Sequence, residues 1–192
     1  NHLHALATAG KAGQFSTIGI IRGEENLPLN PTLSDLVKQG MKLYYINRLT
    51  YRKKHTAEVI HSLRNLIIED DPFFVRQQEF SKKSQEHHRN DFYLVPEGGT
   101  NALALKGVSE IVSFIPEDTD FICVPCGTGG TMAGIIEGLN RTNSQAHVLG
   151  FPALKGGQFL QETIKSLLEN QPSRHKNHPI EIQWKLFCDY HF

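Results

Sequence analysis

The strongest constraint on the fold is a glycine-rich turn between an apolar run and a helical pattern. The turn, Cys126-Gly127-Thr128-Gly129-Gly130-Thr131, follows Phe121–Pro125 and leads into Met132–Ile136. This order predicts a β-strand, a tight turn and an α-helix. Because glycine has no Cβ, backbone N–H groups in such a turn can close around an anion. The helix adds N–H groups without intrahelical partners and the positive end of its dipole. Residues 126–131, called the glycine turn below, therefore predict a phosphate site.

The glycine turn does not match the two common nucleotide signatures. A dinucleotide-binding turn follows Gly-x-Gly-x-x-Gly, but Met132 stands at the third glycine position when counting starts at Gly127. Residues 146–157 contain no Asp or Glu to bind a ribose. An ATP-binding loop needs Gly-Lys-Ser/Thr, and the turn has no Lys. Since Thr128 and Thr131 can donate from their hydroxyls, one compact phosphate is favoured. A tight turn with no ligand, or one holding free sulfate or phosphate, remains the alternative.

Composition excludes several functional classes. Lys plus Arg and Asp plus Glu number 20 each among 192 residues, so no overall charge attracts nucleic acid or anionic lipid. No apolar run reaches the roughly 18 residues of a membrane-spanning helix. Three cysteines are too few for a disulfide framework and indicate a reducing compartment. We expect a cytoplasmic protein without a nucleic-acid or membrane partner.

Strand and helix patterns alternate along the whole chain. The predicted strands are residues 17–21, 42–46, 93–96, 121–125, 148–151 and 180–184. The predicted helices are residues 3–13, 30–40, 57–67 and about 100–113, and the segments after the glycine turn and after Gly156-Gly157. Asn30 is the predicted cap of the second helix, and Thr100 or Asn101 that of the fourth. In the third helix, Ala57, Ile60, Leu63, Leu66 and Ile67 are predicted to lie on one face. The alternation predicts an α/β fold with open, mainly parallel twisted sheets and helices on both faces. The apolar run at 17–21 is typical of a strand buried on both faces.

A charged segment divides the chain into two predicted lobes. Residues 69–91 are dense in charge and histidine and contain Pro72, which predicts an exposed connection. Residues 1–90 then form a smaller α/β lobe, and residues 91–192 form part of a larger phosphate-binding lobe. Ligands of parallel sheets lie beyond the carboxyl ends of the strands. The glycine turn and Gly98–Asn101 both follow predicted strands, so we expect them to face one pocket.

Five segments occur in the order found in a known enzyme family. They are Asn1-His2-Leu3-His4-Ala5-Leu6-Ala7, Ile20-Ile21-Arg22-Gly23-Glu24, Asn30-Pro31-Thr32-Leu33, Pro96-Glu97-Gly98-Gly99-Thr100-Asn101-Ala102-Leu103 and the glycine turn. Together they resemble the 1-aminocyclopropane-1-carboxylate deaminase and D-cysteine desulfhydrase family. These are pyridoxal-phosphate enzymes with the fold of the tryptophan synthase β subunit.

The resemblance implies a cofactor site. The cofactor is pyridoxal 5'-phosphate, and its phosphate would be held by Gly127, Thr128, Gly129, Gly130 and Thr131. We expect Gly129 to leave room for the phosphate. Asn1 would hydrogen-bond the 3-oxygen of the pyridine ring; without the resemblance, a plain helix N-cap explains this residue equally well. The segment 96–101 would shape the pocket wall or would be only a connection.

The resemblance also implies that the catalytic groups lie elsewhere. The lysine that attaches the cofactor and a serine would precede Asn1, and a stacking tyrosine would follow Phe192. The chain begins in a helical pattern without Met, so we expect an internal piece of a longer protein. No catalytic residue is assigned, and we expect the piece alone to be inactive.

The full-length parent would be a lyase or deaminase acting on a small amino acid. It would eliminate sulfide from D-cysteine or open the ring of 1-aminocyclopropane-1-carboxylate. Family members often form homodimers, although no residue here indicates an interface. The alternative is a catalytically silent protein that binds a phosphorylated ligand or a partner on the same fold.

Other reactive side chains are assigned to structure. Lys106 and Lys155 are interpreted as surface residues. Cys123 and Cys126 have Cys-x-x-Cys spacing, but an odd separation places their side chains on opposite faces of a strand. We expect no metal or redox site, with Cys123 in the core.

Overall fold

A computed structural model describes residues 2–70, 92–142, 144–170 and 182–189. The chain divides into two compact units, Asn1–Tyr93 and Leu94–Phe192. The charged segment of the sequence predicts this division between residues 90 and 91. The predicted connection at 69–91 lies almost entirely outside the described residues.

The first unit contains a two-stranded parallel sheet. Its elements are α1 (His2–Gly13), β1 (Ile18–Arg22), α2 (Pro31–Lys38), β2 (Lys42–Ile46), α3 (Arg48–Arg52) and α4 (Ala57–Asp70). The register runs from Ile18 opposite Lys42 to Arg22 opposite Ile46. The predicted start of α2 is confirmed, because Asn30 Oδ1 accepts a hydrogen bond of 2.9 Å from the backbone N–H of Leu33.

Burial in the first unit differs from the sequence expectation at two elements. In β1, Ile18, Ile20 and Ile21 are only half-buried, so the prediction of burial on both faces is wrong for these residues. In α4 the buried positions are Val59, Leu63 and Ile67, whereas the predicted Ala57 and Leu66 are exposed. The prediction is therefore confirmed at Leu63 and Ile67, which with Val59 form a face with a four-residue repeat.

A polar network joins α1 to α2. Asp35 Oδ2 accepts a hydrogen bond of 2.6 Å from Gln39 Nε2 and lies 2.7 Å from His4 Nε2. The hydrogen bonds from Gln39 and then His4 lower the pKa of the Asp35 carboxyl. Both side chains of the His4–Asp35 pair are about half exposed. The network therefore adds a pH-dependent link between two helices whose apolar contact is the cluster of Ala7 and Leu36.

Protonation of Asp35 is expected to make the first unit less stable at low pH. Its folded pKa lies below the ordinary 3.8, so its contribution is present above pH 3.8 and is lost as the pH falls through the folded value. Urea unfolding across acidic pH should show a shallower loss of stability for Asp35→Asn than for the wild type. Glu25→Gln, which removes an exposed charge of the same unit, is the control. Equal slopes for Asp35→Asn and the wild type would contradict the assignment.

The second unit contains a three-stranded parallel sheet. Its elements are 3₁₀-helices Glu97–Gly99 and Glu110–Phe114, helices α5 (Ala102–Ser109), α6 (Gly130–Thr142) and α7 (Phe159–Glu169), and strands β3 (Phe121–Cys126), β4 (His147–Pro152) and β5 (Trp184–Leu186). The strand order is β3-β4-β5, and every pairing is parallel. Open parallel sheets with connecting helices confirm the predicted α/β class.

Two predicted strands of the second unit are corrected. Residues 93–96 form no strand, and Tyr93 and Leu94 are 68% and 46% exposed. An apolar run becomes a strand only when a neighbouring strand pairs with it, and none does so among the described residues. The last strand is Trp184–Leu186 rather than 180–184, while residues 180 and 181 lie outside the described residues.

Helix α6 is buried along most of its length. One face carries Gly130, Gly134 and Gly138, spaced four residues apart, which we call the glycine face. A Cβ built at Gly134 would lie 2.6 Å from Val108 Cγ1, and one at Gly138 would lie 2.6 Å from the Ser109 carbonyl oxygen. The glycine face therefore lets α5 and the following 3₁₀-helix approach the backbone of α6.

The remaining faces of α6 form the core with strands and α7. The largest fully buried side chains there are Met132, Ile136, Leu139, Val148, Leu160, Ile164 and Leu168. This packing on both sides holds the first turn of α6 in place. No helix in the described ranges combines the length and apolarity that a bilayer crossing requires.

Candidate anion-binding site

The glycine turn connects β3 to α6, in the predicted order of strand, turn and helix. The strand ends at Cys126, and the helix begins at Gly130. The backbone N–H of Ala153, just beyond β4, donates to the Cys126 carbonyl at 2.9 Å. Gly129 has φ +82°, and its carbonyl accepts the first helical hydrogen bond, from Ala133 N at 3.0 Å. The turn is thus tied to the carboxyl ends of two neighbouring strands.

The turn presents a row of unused backbone donors. Across the described part of the chain, no N–H group of residues 127–132 donates to a protein acceptor. Several of these groups open α6, where the helix dipole contributes a partial positive charge. A compact anion with several oxygens can accept from such a row. The donor set therefore fits a phosphate group.

Gly127 and Gly129 have different structural roles in the turn. A Cβ built at Gly127 would meet no atom within 4 Å, whereas one at Gly129 would lie 2.9 Å from Ile164 Cγ1. Gly129 is therefore required by its positive φ and by contact with α7. That Gly129 also leaves room for the phosphate stays a prediction. The open side of the turn lies at Gly127.

A second glycine-containing segment packs against the turn. Gly98 has φ +71°, and a Cβ there would lie 2.5 Å from Thr128 Oγ1. A Cβ at Gly130 would lie 2.6 Å from Thr100 Oγ1. The Thr100 and Thr128 hydroxyl oxygens are hydrogen-bonded at 2.5 Å. The structure thus brings together the two segments that the sequence analysis expected to face one pocket.

Thr100 lies in the segment 96–101 that the sequence predicts as a pocket wall, but the sequence gives it no role of its own beyond a possible helix cap. It was considered as a helix cap, but Asn101 caps α5 by accepting from Ala104 N at 2.8 Å. The Thr100 hydroxyl instead contacts Thr128. The available signal was a threonine in each of two glycine-containing segments, although their pairing across 28 positions is not readable from spacing.

The other residues considered for the site lie as follows. Thr131 is exposed in the first turn of α6, and Lys155 is exposed beyond β4. Asn1 lies outside the described residues, so the structure does not relate it to the turn.

The two cysteines of β3 differ in burial. Cys123 is exposed and Cys126 is buried, so the expectation of Cys123 in the core is wrong. Burial raises the pKa of the Cys126 thiol, whose Sγ donates to the Val124 carbonyl at 3.4 Å. The thiol beside the turn is therefore neutral and does not oppose an anion.

Away from the turn, the described ranges contain a polar cavity but no metal-binding cluster. They hold no cluster of three or more His, Cys, Asp or Glu side chains that could bind a metal. A polar cavity of about 200 Å³ lies near the last turn of α6 and the start of β4, between Asn140, His147 and Gln183. It is at the opposite end of α6 from the glycine turn.

Sequence relatives carry the names that the motifs suggested. No family model matches the chain. Proteins named putative 1-aminocyclopropane-1-carboxylate deaminase from Pyrococcus furiosus and Pyrococcus horikoshii are each 24% identical, over 87% and 100% of this chain and 46% and 53% of their own lengths. A mitochondrial bifunctional D-cysteine desulfhydrase/1-aminocyclopropane-1-carboxylate deaminase from Arabidopsis thaliana is 30% identical over 46% of this chain and 24% of its own length. This chain is similar in sequence to proteins with these names. It spans about half the length of the Pyrococcus relatives.

Solved structures show the same fold. An ACC deaminase homologue superposes with a TM-score of 0.58 and 18% identity, over 98% of this chain and 53% of its own. A pyridoxal 5'-phosphate-dependent aspartate racemase gives 0.53 and 14%, over 97% and 55%. These neighbours confirm the fold that the resemblance implied.

Proposed function

We propose that this chain provides the phosphate-binding part of a pyridoxal-phosphate-dependent lyase or deaminase that acts on a small amino acid. The observation that carries the proposal is the row of unused N–H donors at residues 127–132. Every helix leaves N–H groups without acceptors in its first turn, and here Gly127 and Thr128 extend that row beyond the helix. The relatives bear the names of deaminase and desulfhydrase enzymes. Elimination from D-cysteine and ring opening of 1-aminocyclopropane-1-carboxylate are the two reactions proposed for the whole protein.

The roles of this chain's residues follow from their places. The N–H groups of the turn and the hydroxyls of Thr128 and Thr131 would hold the phosphate. Gly127 leaves the open side on which the rest of the cofactor would lie. When bound, the cofactor withdraws electrons from the substrate bond that breaks. Asn1 would fix the ring orientation through the 3-oxygen, and the lysine that attaches the cofactor is proposed to precede Asn1.

Binding of the phosphate group can be tested on this chain directly. The ¹⁵N-labelled protein would be titrated with pyridoxal phosphate, inorganic phosphate and pyridoxal while the amide resonances are followed. We expect the amides of residues 127–132 to shift with both phosphate-containing ligands and not with pyridoxal. If pyridoxal shifts them equally, or if neither phosphate ligand shifts them, the proposal is wrong.

Thr131→Val is expected to weaken binding of pyridoxal phosphate about tenfold, because a hydroxyl donor to a charged acceptor is removed. Thr163→Val, which changes a threonine of α7 far from the turn in sequence, is the matched control and should leave the affinity unchanged. The same titration measures both variants. An unaltered affinity in Thr131→Val would remove that hydroxyl from the proposed site.

Covalent attachment of the cofactor distinguishes the proposed enzyme from a catalytically silent phosphate-binding protein. After pyridoxal phosphate is added, excess is removed and borohydride is supplied, we expect this chain to show no added mass. A full-length parent with the proposed lysine should show the mass of one reduced cofactor. A parent that binds phosphate but gains no mass would support the silent alternative. A stable adduct on Lys155 would show that the attachment site lies in this chain.

A cytoplasmic location and a homodimeric parent remain predictions.

A further inference from the structure

We infer that Thr100 is a positioning residue for the phosphate group, acting through the hydroxyl of Thr128. This inference rests on the proposed function, because it concerns the same site. Its starting point is the 2.5 Å hydrogen bond between Thr100 Oγ1 and Thr128 Oγ1, in which either oxygen can be the donor. Both side chains are partly buried.

The contact is confined by packing on both sides. A Cβ at Gly98 would strike the Thr128 side chain, and a Cβ at Gly130 would strike that of Thr100. Gly98 also has φ +71°, which few residues other than glycine adopt. Each of the two threonine side chains therefore packs against a glycine of the other segment, Thr128 against Gly98 and Thr100 against Gly130. Side chains held this way lose little further freedom when a ligand binds.

Counting protons gives the direction of the hydrogen bond when an anion is bound. Each hydroxyl has one proton, and a phosphate oxygen only accepts. While the Thr100–Thr128 hydrogen bond is kept, Thr128 can donate to the phosphate only if its oxygen accepts from Thr100. The bound state is thus ordered as Thr100 O–H to Thr128 oxygen and Thr128 O–H to phosphate oxygen. Consecutive hydrogen bonds in one direction polarise each other, so the Thr128 hydroxyl becomes a stronger donor.

The consequence is specific to anionic ligands. In the free protein the pair can take either direction, and the anion selects one of them. Thr100 therefore contributes to binding of phosphate monoesters and inorganic phosphate without contacting them. A residue that served only to hold the fold would change stability instead of this affinity.

The experiment removes the Thr100 hydroxyl and then restores it. Thr100→Val keeps the side-chain shape, Thr100→Ala removes the hydroxyl without adding bulk, and Thr100→Ser keeps the hydroxyl. The affinity of each variant for inorganic phosphate and pyridoxal phosphate is measured by amide titration. We expect Thr100→Val and Thr100→Ala to bind about tenfold more weakly and Thr100→Ser to stay within about twofold of the wild type. If Thr100→Val or Thr100→Ala does not fold, the other still compares with Thr100→Ser; if Thr100→Ser does not fold, both compare with the wild type.

A double-mutant cycle separates positioning from general destabilisation. In a Thr128→Val background, removing the Thr100 hydroxyl should have no further effect on phosphate affinity. Additive losses in the cycle, or wild-type affinity in Thr100→Ala, would overturn the inference. Failure of the wild-type chain to bind either phosphate ligand would instead overturn the proposed function. The two failures are therefore distinguishable.

Discussion

Replacing Gly138 with alanine is expected to lower the free energy of unfolding of the second unit by about 1–3 kcal/mol. The new Cβ would lie 2.6 Å from the Ser109 carbonyl oxygen and 2.6 Å from Val112 Cγ2. A backbone oxygen cannot rotate away as a side chain can, so α5 must shift from the glycine face. This cost opposes the gain of roughly 1 kcal/mol that alanine brings inside a helix. Urea unfolding followed by the fluorescence of Trp184, which is the single tryptophan, reports on this unit.

The control for Gly138→Ala is the same substitution in α5. A Cβ at Gly107 would meet nothing within 4 Å, so Gly107→Ala should leave stability unchanged or raise it by up to about 1 kcal/mol. If Gly138→Ala lowers the free energy of unfolding and Gly107→Ala raises it, the difference reflects helix packing, because the change in helix propensity is the same in both. Equal effects would show that the glycine face of α6 does not set the distance to α5.

Replacing Gly129 with alanine is expected to have a second large effect, through strain and crowding. At φ +82° an alanine is strained by about 1–3 kcal/mol, and its Cβ would lie 2.9 Å from Ile164 Cγ1. Truncating the fully buried Ile164 to alanine should by itself cost about 2–5 kcal/mol. The double variant removes the atom that the new Cβ strikes. It should therefore be more stable than the sum of the single losses predicts.

The measurement is the same urea unfolding, applied to both single variants and the double variant. Strict additivity would show that Gly129 and Ile164 do not interact, and so that the turn does not rest on α7. Gly127→Ala is the control, because its Cβ meets no protein atom. It should fold like the wild type, and any loss of phosphate affinity in Gly127→Ala reports on the room left for the anion.

The predictions that the structure confirms depend on residues that are adjacent in sequence. The strand, glycine turn and helix at 121–142 are encoded by adjacent residues, as is the cap at Asn30. The α/β class follows from alternation of such segments.

The wrong or missing predictions concern which face of a strand or helix is buried, and which distant residues contact it. Alternation correctly separates Cys123 from Cys126 but does not say which face turns inward. The run at 93–96 has strand composition but no pairing partner in the described chain. The contact of Gly129 with Ile164 was not predicted, because it joins residues distant in sequence. The Thr100–Thr128 contact was missed for the same reason.

The burial of α6 bears on how such a site can diversify during evolution. Gly129 and Gly130 are enclosed by α7 and Thr100, so exchanges there damage folding before they alter ligand preference. Gly127 and Thr131 are exposed and can vary at small structural cost. New specificities are thus expected to arise from these two positions and from residues that approach them, while the frame of the turn is inherited unchanged.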